Sequence, residues 1–227
     1  MDPSRRPRTI ARESGRAGEL VLREHDGAYE IISNGVFLMD TSDGRSERGL
    51  VALALNATAG RRDRDVLLAG LGVGFSLAEA LSASGVTRIV VIESEPAVVR
   101  WNRTITGERT GGHIDDPRVR CEVADVVTWL QGPVEERFDA ICLDVDNGPD
   151  WTVRDENRWL YTDAGLAAAH DHLVDGGALT VWSAEHAPAF ERRLRQRFHA
   201  VERREFPVAR GSPDVLYLAR RRGCTAP

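Results

Sequence analysis

The chain has 227 residues, 42% hydrophobic and 29% charged, the make-up of one globular unit with a small appendage, and no apolar run approaches the roughly 18 residues of a membrane span. Its 35 acids against 30 bases give a net charge of −5, which argues against a nucleic-acid partner because phosphate binding needs concentrated positive charge. Every base among Lys and Arg is arginine, so lysine nucleophiles and Schiff bases are excluded.

Residues 1–19 are charged, carry a proline and lack apolar periodicity, and are expected to form a mobile tail. An N-terminal β-appendage and helix follow over 20–60. Within it LVLREHDGAYEII and GVFLMD alternate in polarity around Asp26-Gly27 and Asn34-Gly35, the pattern of β-hairpins, and 46–59 reads as a helix with Leu50, Leu53 and Ala57 on one face.

From 61 to 222 short apolar runs of strand length alternate with helical segments. Strands are predicted at 66–71, 88–93, 119–124, 138–145 and 178–183, and helices at 76–84, 96–103, 126–130, 163–174 and 187–197. Strands that are apolar throughout and alternate with helices predict a parallel sheet covered on both faces. Two last strand-like runs, VERREFPVA and DVLYLARR, joined through Gly211, Ser212 and Pro213, suit a C-terminal antiparallel hairpin, with a tail over 223–227.

Chemistry gathers at the strand ends. The first strand of the α/β unit runs into Gly70-Leu71-Gly72-Val73-Gly74 and then a helix, a turn where backbone passes close to a ligand. Glu93 ends the next strand about 20 residues on, where a carboxylate can bind ribose hydroxyls. The dinucleotide fingerprint wants Gly or Ala three residues after its second glycine, but Phe75 stands there, which suits S-adenosylmethionine better than NAD. Asp125 follows the third strand, where it can reach the adenine amino group or cap the helix from Val126, and Asp144 closes the fourth strand at the carboxyl edge of the sheet.

Three stretches then carry a resemblance: LLAGLGVGF (67–75), GGHIDDPRVRCEVADVVTWL (111–130), and DAICLDVDNGPDW (139–151) with LYTDAGL (160–166). The chain resembles the spermidine synthase-like branch of class I S-adenosylmethionine-dependent methyltransferases over about 20–222. The likeness implies a Rossmann-like class I methyltransferase sheet with helices on both faces, flanked by the N-terminal β-hairpin appendage and the C-terminal hairpin. The likeness and the exposed β-appendage favour a homodimer, and a reducing cytoplasm is expected because Cys121, Cys142 and Cys224 show no metal or disulfide spacing and no apolar secretion signal is present.

Where the resembled aminopropyltransferases carry a loop acid that holds the amine of decarboxylated S-adenosylmethionine, this chain has Val73. That substitution favours intact S-adenosylmethionine, whose carboxyl group an acid would repel, with the decarboxylated form as the alternative donor. Of the two catalytic-loop acids spaced three apart, Asp144 matches the first and Asn147 replaces the second, while Ser46 and Glu47 stand where a Tyr-Gln pair is usual. Gly70, Gly72, Gly74, Glu93, Asp125 and Asp144 are therefore the expected cofactor-binding residues. Asp144 is also the expected catalytic base, and Asp146, Asn147, Asp150, Trp151 and Tyr161 the expected lining for a small-molecule amine acceptor.

No metal site is expected, because no histidine adjoins the acidic loop and His170 and His172 point to different helix faces. His113 and His186 are secondary base candidates. The primary expectation is methyl transfer to an amine, the second aminopropyl transfer, and the third a nucleoside-binding protein without turnover.

Overall fold

A computed structural model describes residues 6–16, 18–208 and 212–223; residue 211 of the expected terminal turn and residues 1–5 and 224–227 of the expected tails lie outside the described residues. Strands β1 (Arg8–Gly15), β2 (Gly18–His25), β3 (Ala28–Ser33) and β4 (Val36–Asp40) form an antiparallel sheet in that order. Asp26-Gly27 and Asn34-Gly35 take positive φ at both positions (48° and 80° in each pair), the conformation that matches the twist of hairpin strands.

Residues 8–15 were expected within a mobile tail and instead form β1. Its charges hid the strand. Arg8 pairs with Glu24 at 2.6 Å and Arg12 with Glu19 across the β1–β2 ladder, while Ile10 and Ala11 pack on the core.

Helix α1 (Arg45–Ala57) leads into the second sheet. That sheet contains β5 (Arg64–Ala69), β6 (Val86–Glu93), β7 (Val119–Val123), β8 (Phe138–Leu143), β9 (Leu173–Ser183), β10 (Ala200–Phe206) and β11 (Asp214–Arg220) in the order β10-β11-β9-β8-β5-β6-β7. Strands β9, β8, β5, β6 and β7 pair in parallel, and β10 and β11 add an antiparallel hairpin at the β9 edge. Between them run α2 (Phe75–Ser82), α3 (Pro96–Trp101), α4 (Gly107–Thr110), α5 (Val126–Gln131), α6 (Asp163–Asp171) and α7 (Pro188–Arg197). Among the described residues no helix is long and apolar enough to cross a membrane.

Alternation along β5 shows why both faces are covered. Val66 and Leu68 enter the core shared with α1, α2 and the N-terminal sheet, and Leu67 and Ala69 enter the core under α5, α6 and α7. The helix expected over 163–174 ends at Asp171 because Leu173 is drawn into the ladder opposite Phe138. The helix expected over 96–103 passes into a π turn at Asn102–Thr106, where Asn102 Nδ2 donates to the carbonyl of Gly72 at 2.7 Å and steadies the glycine turn.

From β5 the chain moves outward to β6 and β7, then returns to β8 on the other side of β5. Ligands of open α/β sheets sit outside the carboxyl ends of the strands at such a reversal. Here Gly70 and Asp144 are the residues that follow those two strand ends.

Candidate active site

A cavity of about 230 Å³ opens at this reversal. Its floor comes from Gly70, Gly72, Glu93, Asp125 and Asp144, and the loop after β8 adds Asp146, Asn147, Val153 and Arg154. The N-terminal sheet is a wall of the site as well as an appendage, supplying Leu20, Ile31, Leu38 and Met39. It is pinned there by Glu95, whose carboxylate accepts the Arg16 amide at 2.9 and 3.0 Å, by an Arg100–Glu13 ion pair, and by Arg109 donating to the carbonyl of Gly27 at 3.0 Å.

Gly70 fits because of its φ of +93° and because a Cβ there would lie 2.0 Å from the backbone oxygen of Asp144. Gly72 has φ +52°, and a Cβ would meet Met39 Sδ at 2.5 Å. Gly74, expected at the ligand, does not line the cavity. It is the left-handed residue that starts α2, packed where a Cβ would lie 2.6 Å from Asn102 Oδ1 and 2.9 Å from Thr110 Oγ1.

Glu93 accepts the amides of Leu71 at 3.0 Å and Glu95 at 2.8 Å, so it ties the glycine turn to the end of β6 while facing the cavity. Burial pushes its carboxyl above the usual range, against the pull of those amides. Asp125 does two jobs: it caps α5 by accepting the Thr128 amide at 3.0 Å, and Arg154 Nη1 reaches it at 3.4 Å across the cavity.

Asp144 is strongly perturbed. Burial, then the charges of Glu47, Asp214 and Glu93, push its carboxyl up to about 8. Asp146 is fastened instead, accepting the Val153 amide and, at 2.6 Å, the Asn157 side-chain amide, with burial raising it above the usual carboxylate range. Asn147 lines the cavity, and its carbonyl accepts the Ala184 amide at 2.9 Å.

Three other expected lining residues are not brought to the cavity. Asp150 is exposed and Trp151 is 62% exposed, and neither lines the cavity. Tyr161 is buried in the core under α6 and α7, edge-on to Phe190 at 5.5 Å, and burial raises its hydroxyl pKa. His113 is exposed and outside the cavity, and His186 pairs with Glu191 at 3.0 Å.

Sequence reasoning did not place Glu47, Glu95, Arg154 or Trp182 in the lining, yet all four are there. Glu47 did leave a signal. It stands, half-buried, at helical spacing from the buried Leu50, Val51 and Ala54 of α1, where a carboxylate is out of place unless something needs it.

No family model matches the chain. Its sequence is 30% identical to the polyamine aminopropyltransferase of Mycobacterium tuberculosis (strain ATCC 25618 / H37Rv) over 164 residues, which are 71% of this chain and 30% of that protein. It is 32% identical to that of Corynebacterium efficiens over 170 residues, 73% of this chain and 31% of the relative. The chain thus matches less than a third of the length of these relatives. A spermidine synthase solved with the transition-state analogue AdoDATO superposes with a TM-score of 0.77 at 18% identity, covering 94% of this chain and 73% of the other. The spermidine synthase of Thermotoga maritima gives 0.73 at 18% identity, with 94% and 72% covered.

These findings overturn the expectation of methyl transfer, since the relatives are polyamine aminopropyltransferases and the structural neighbours spermidine synthases. That expectation leaned on Val73. Its side chain is 2% exposed, packs into the core and does not line the cavity, so it says little about the charge a donor meets. The chain has the spermidine synthase fold, and its relatives in sequence are polyamine aminopropyltransferases.

Proposed function

We propose that this protein transfers an aminopropyl group from decarboxylated S-adenosylmethionine to a small-molecule amine. The observation that carries the reading is the acidic lining of the cavity: among the described residues Glu47, Glu93, Glu95, Asp125, Asp144 and Asp146 stand against one base, Arg154, itself turned to Asp125. Such a cavity attracts a sulfonium with an ammonium tail and repels the carboxylate that intact S-adenosylmethionine would bring.

The acceptor amine attacks the propyl carbon next to the sulfonium. A C–N bond forms as the C–S bond breaks, the electron pair leaves with the sulfur as 5′-methylthioadenosine, and the proton lost by the amine passes to Asp144. The electrophile is already activated, so holding the two reactants in line does most of the work. Asp144 suits the base role because it follows directly on β8, and its raised pKa lies closer to that of an amine than an ordinary carboxyl does. Glu93 and Asp125 are the groups for the ribose hydroxyls and the adenine amino group.

Calorimetry with both donors tests the reading. The decarboxylated form should bind at least about tenfold more tightly, about 1.4 kcal/mol, and incubation with it and a diamine should release 5′-methylthioadenosine. Equal affinity, or tighter binding of the intact form, would sink the proposal. Glu93→Ala should weaken binding of 5′-methylthioadenosine by about 1 to 3 kcal/mol, through loss of a charge-assisted contact and of the two amide anchors. An unchanged dissociation constant would remove Glu93 from the site.

A further inference from the structure

We propose that Glu47 is a substrate-positioning residue whose carboxylate, reaching the cavity from α1, receives the second cationic centre of the acceptor while its first amine reacts near Asp144. The proposal rests on the aminopropyl-transfer reading and adds to it a specificity residue from outside the loop after β8.

The six cavity carboxylates are not equivalent. Glu93 holds the Leu71 and Glu95 amides, Glu95 holds the Arg16 amide, Asp125 caps α5 and meets Arg154, and Asp146 holds the Val153 amide and Asn157. Four are thereby spent on the protein's own backbone and side chains. Among the described residues Asp144 shows no such bond, and Glu47 accepts only the neighbouring Ser46 hydroxyl and its own backbone amide. Asn147, also in the lining, is neutral.

Glu47 has no cation of its own among the described residues, although arginines flank it in sequence. Arg45 turns to Asp43 at 2.7 Å; Arg48 donates to the carbonyl of Thr110 at 2.7 Å, lies over the Phe75 ring and approaches Glu79 at 3.8 Å. The Ser46 hydroxyl donates to Glu47 Oε2 at 3.0 Å and fixes the head group. Near it stands Asp214 at the start of β11, which competes for the one Ser46 hydroxyl proton, and its charge together with that of Asp43 presses on Glu47. A half-buried carboxylate with acids on every charged side, and no base, is satisfied either by a proton or by a cation brought by the ligand.

The test titrates the protein, saturated with 5′-methylthioadenosine, with 1,4-diaminobutane and with butylamine, which share a chain length and differ in one charge. The parent should bind the diamine at least about tenfold more tightly. Glu47→Gln should shrink that preference to about twofold or less with nucleoside affinity unchanged, and Glu47→Asp, which keeps the charge, should retain most of it. Loss of fold would instead lower nucleoside affinity and afflict both variants alike. A tenfold preference that survives in Glu47→Gln, or a parent that does not discriminate, overturns the proposal. The readout uses neither donor nor turnover, so failure of the donor comparison above would be seen separately.

Discussion

Asp144→Asn should lower transfer by about 100- to 10,000-fold in kcat, the range general-base removal commands, and at the same time stabilise the ligand-free protein at alkaline pH. The two effects share a cause. Folding raises the Asp144 carboxyl from 3.8 to about 8, through burial and then repulsion by Glu47, Asp214 and Glu93. A carboxyl raised on folding is protonated in the folded chain and ionised in the unfolded one between those values, so the unfolded state binds fewer protons. Its contribution to stability is complete below 3.8 and is lost as pH climbs towards about 8. At about 1.4 kcal/mol per unit the ceiling is about 5 kcal/mol at pH 8, and Asn, which needs hydrogen bonds of its own, should recover about 2 kcal/mol of it or more.

Thermal melts from pH 5 to pH 8.5 check this: the parent's Tm should fall across the window and that of Asp144→Asn should fall less. In the parent, kcat/KM should rise through about pH 8 as the free enzyme's base ionises. A variant that keeps the parental rate, or one that loses stability equally at every pH, would mean that Asp144 serves the loop rather than the reaction.

The α/β unit was legible because its central strands β5, β6 and β8 are rich in apolar residues and alternate with helical segments, and both patterns are local. What escaped depends on distance in sequence. Strand β1 mixes charges with small and polar residues, and its reason to pair lies in Glu19 and Glu24 of β2. Gly70, Gly72, Glu93, Asp125, Asp144, Asp146 and Asn147 were readable as cavity residues from their places at or just beyond strand ends. Asp150 and Trp151 shared the composition of that loop but not its direction, and composition carries no direction. Tyr161 was expected to line the acceptor pocket, whereas its ring fills the core against Phe190. Val73 misled for the opposite reason: a position in the glycine turn was credited with facing the ligand, when the turn points that side chain into the core.

Gly70→Ala should be the most damaging small substitution in the protein, costing about 3 kcal/mol or more and removing activity even where the chain still folds. The added methyl would stand 2.0 Å from the Asp144 backbone oxygen, at a φ of +93° that L side chains rarely adopt. Neither neighbour can yield cheaply. The Asp144 amide donates to the carbonyl of Ala69 at 2.9 Å, and the Gly70 amide to that of Ile92 at 2.9 Å, so both residues are held by the ladder at the point where the sheet reverses. Relief would require the ends of β5 and β8 to part, and Asp144 would be carried off with them. Gly35→Ala is the control: its φ is +80° with nothing within 4 Å of the added carbon, so it bears the conformational penalty alone, about 1 kcal/mol. Urea unfolding of the two variants beside the parent separates clash from conformation, and the transfer rate at equal folded fraction reports the displacement of Asp144. If Gly70→Ala costs no more than Gly35→Ala and retains activity, the glycine is there for its φ and the close approach of the two strand ends does not hold the base in place.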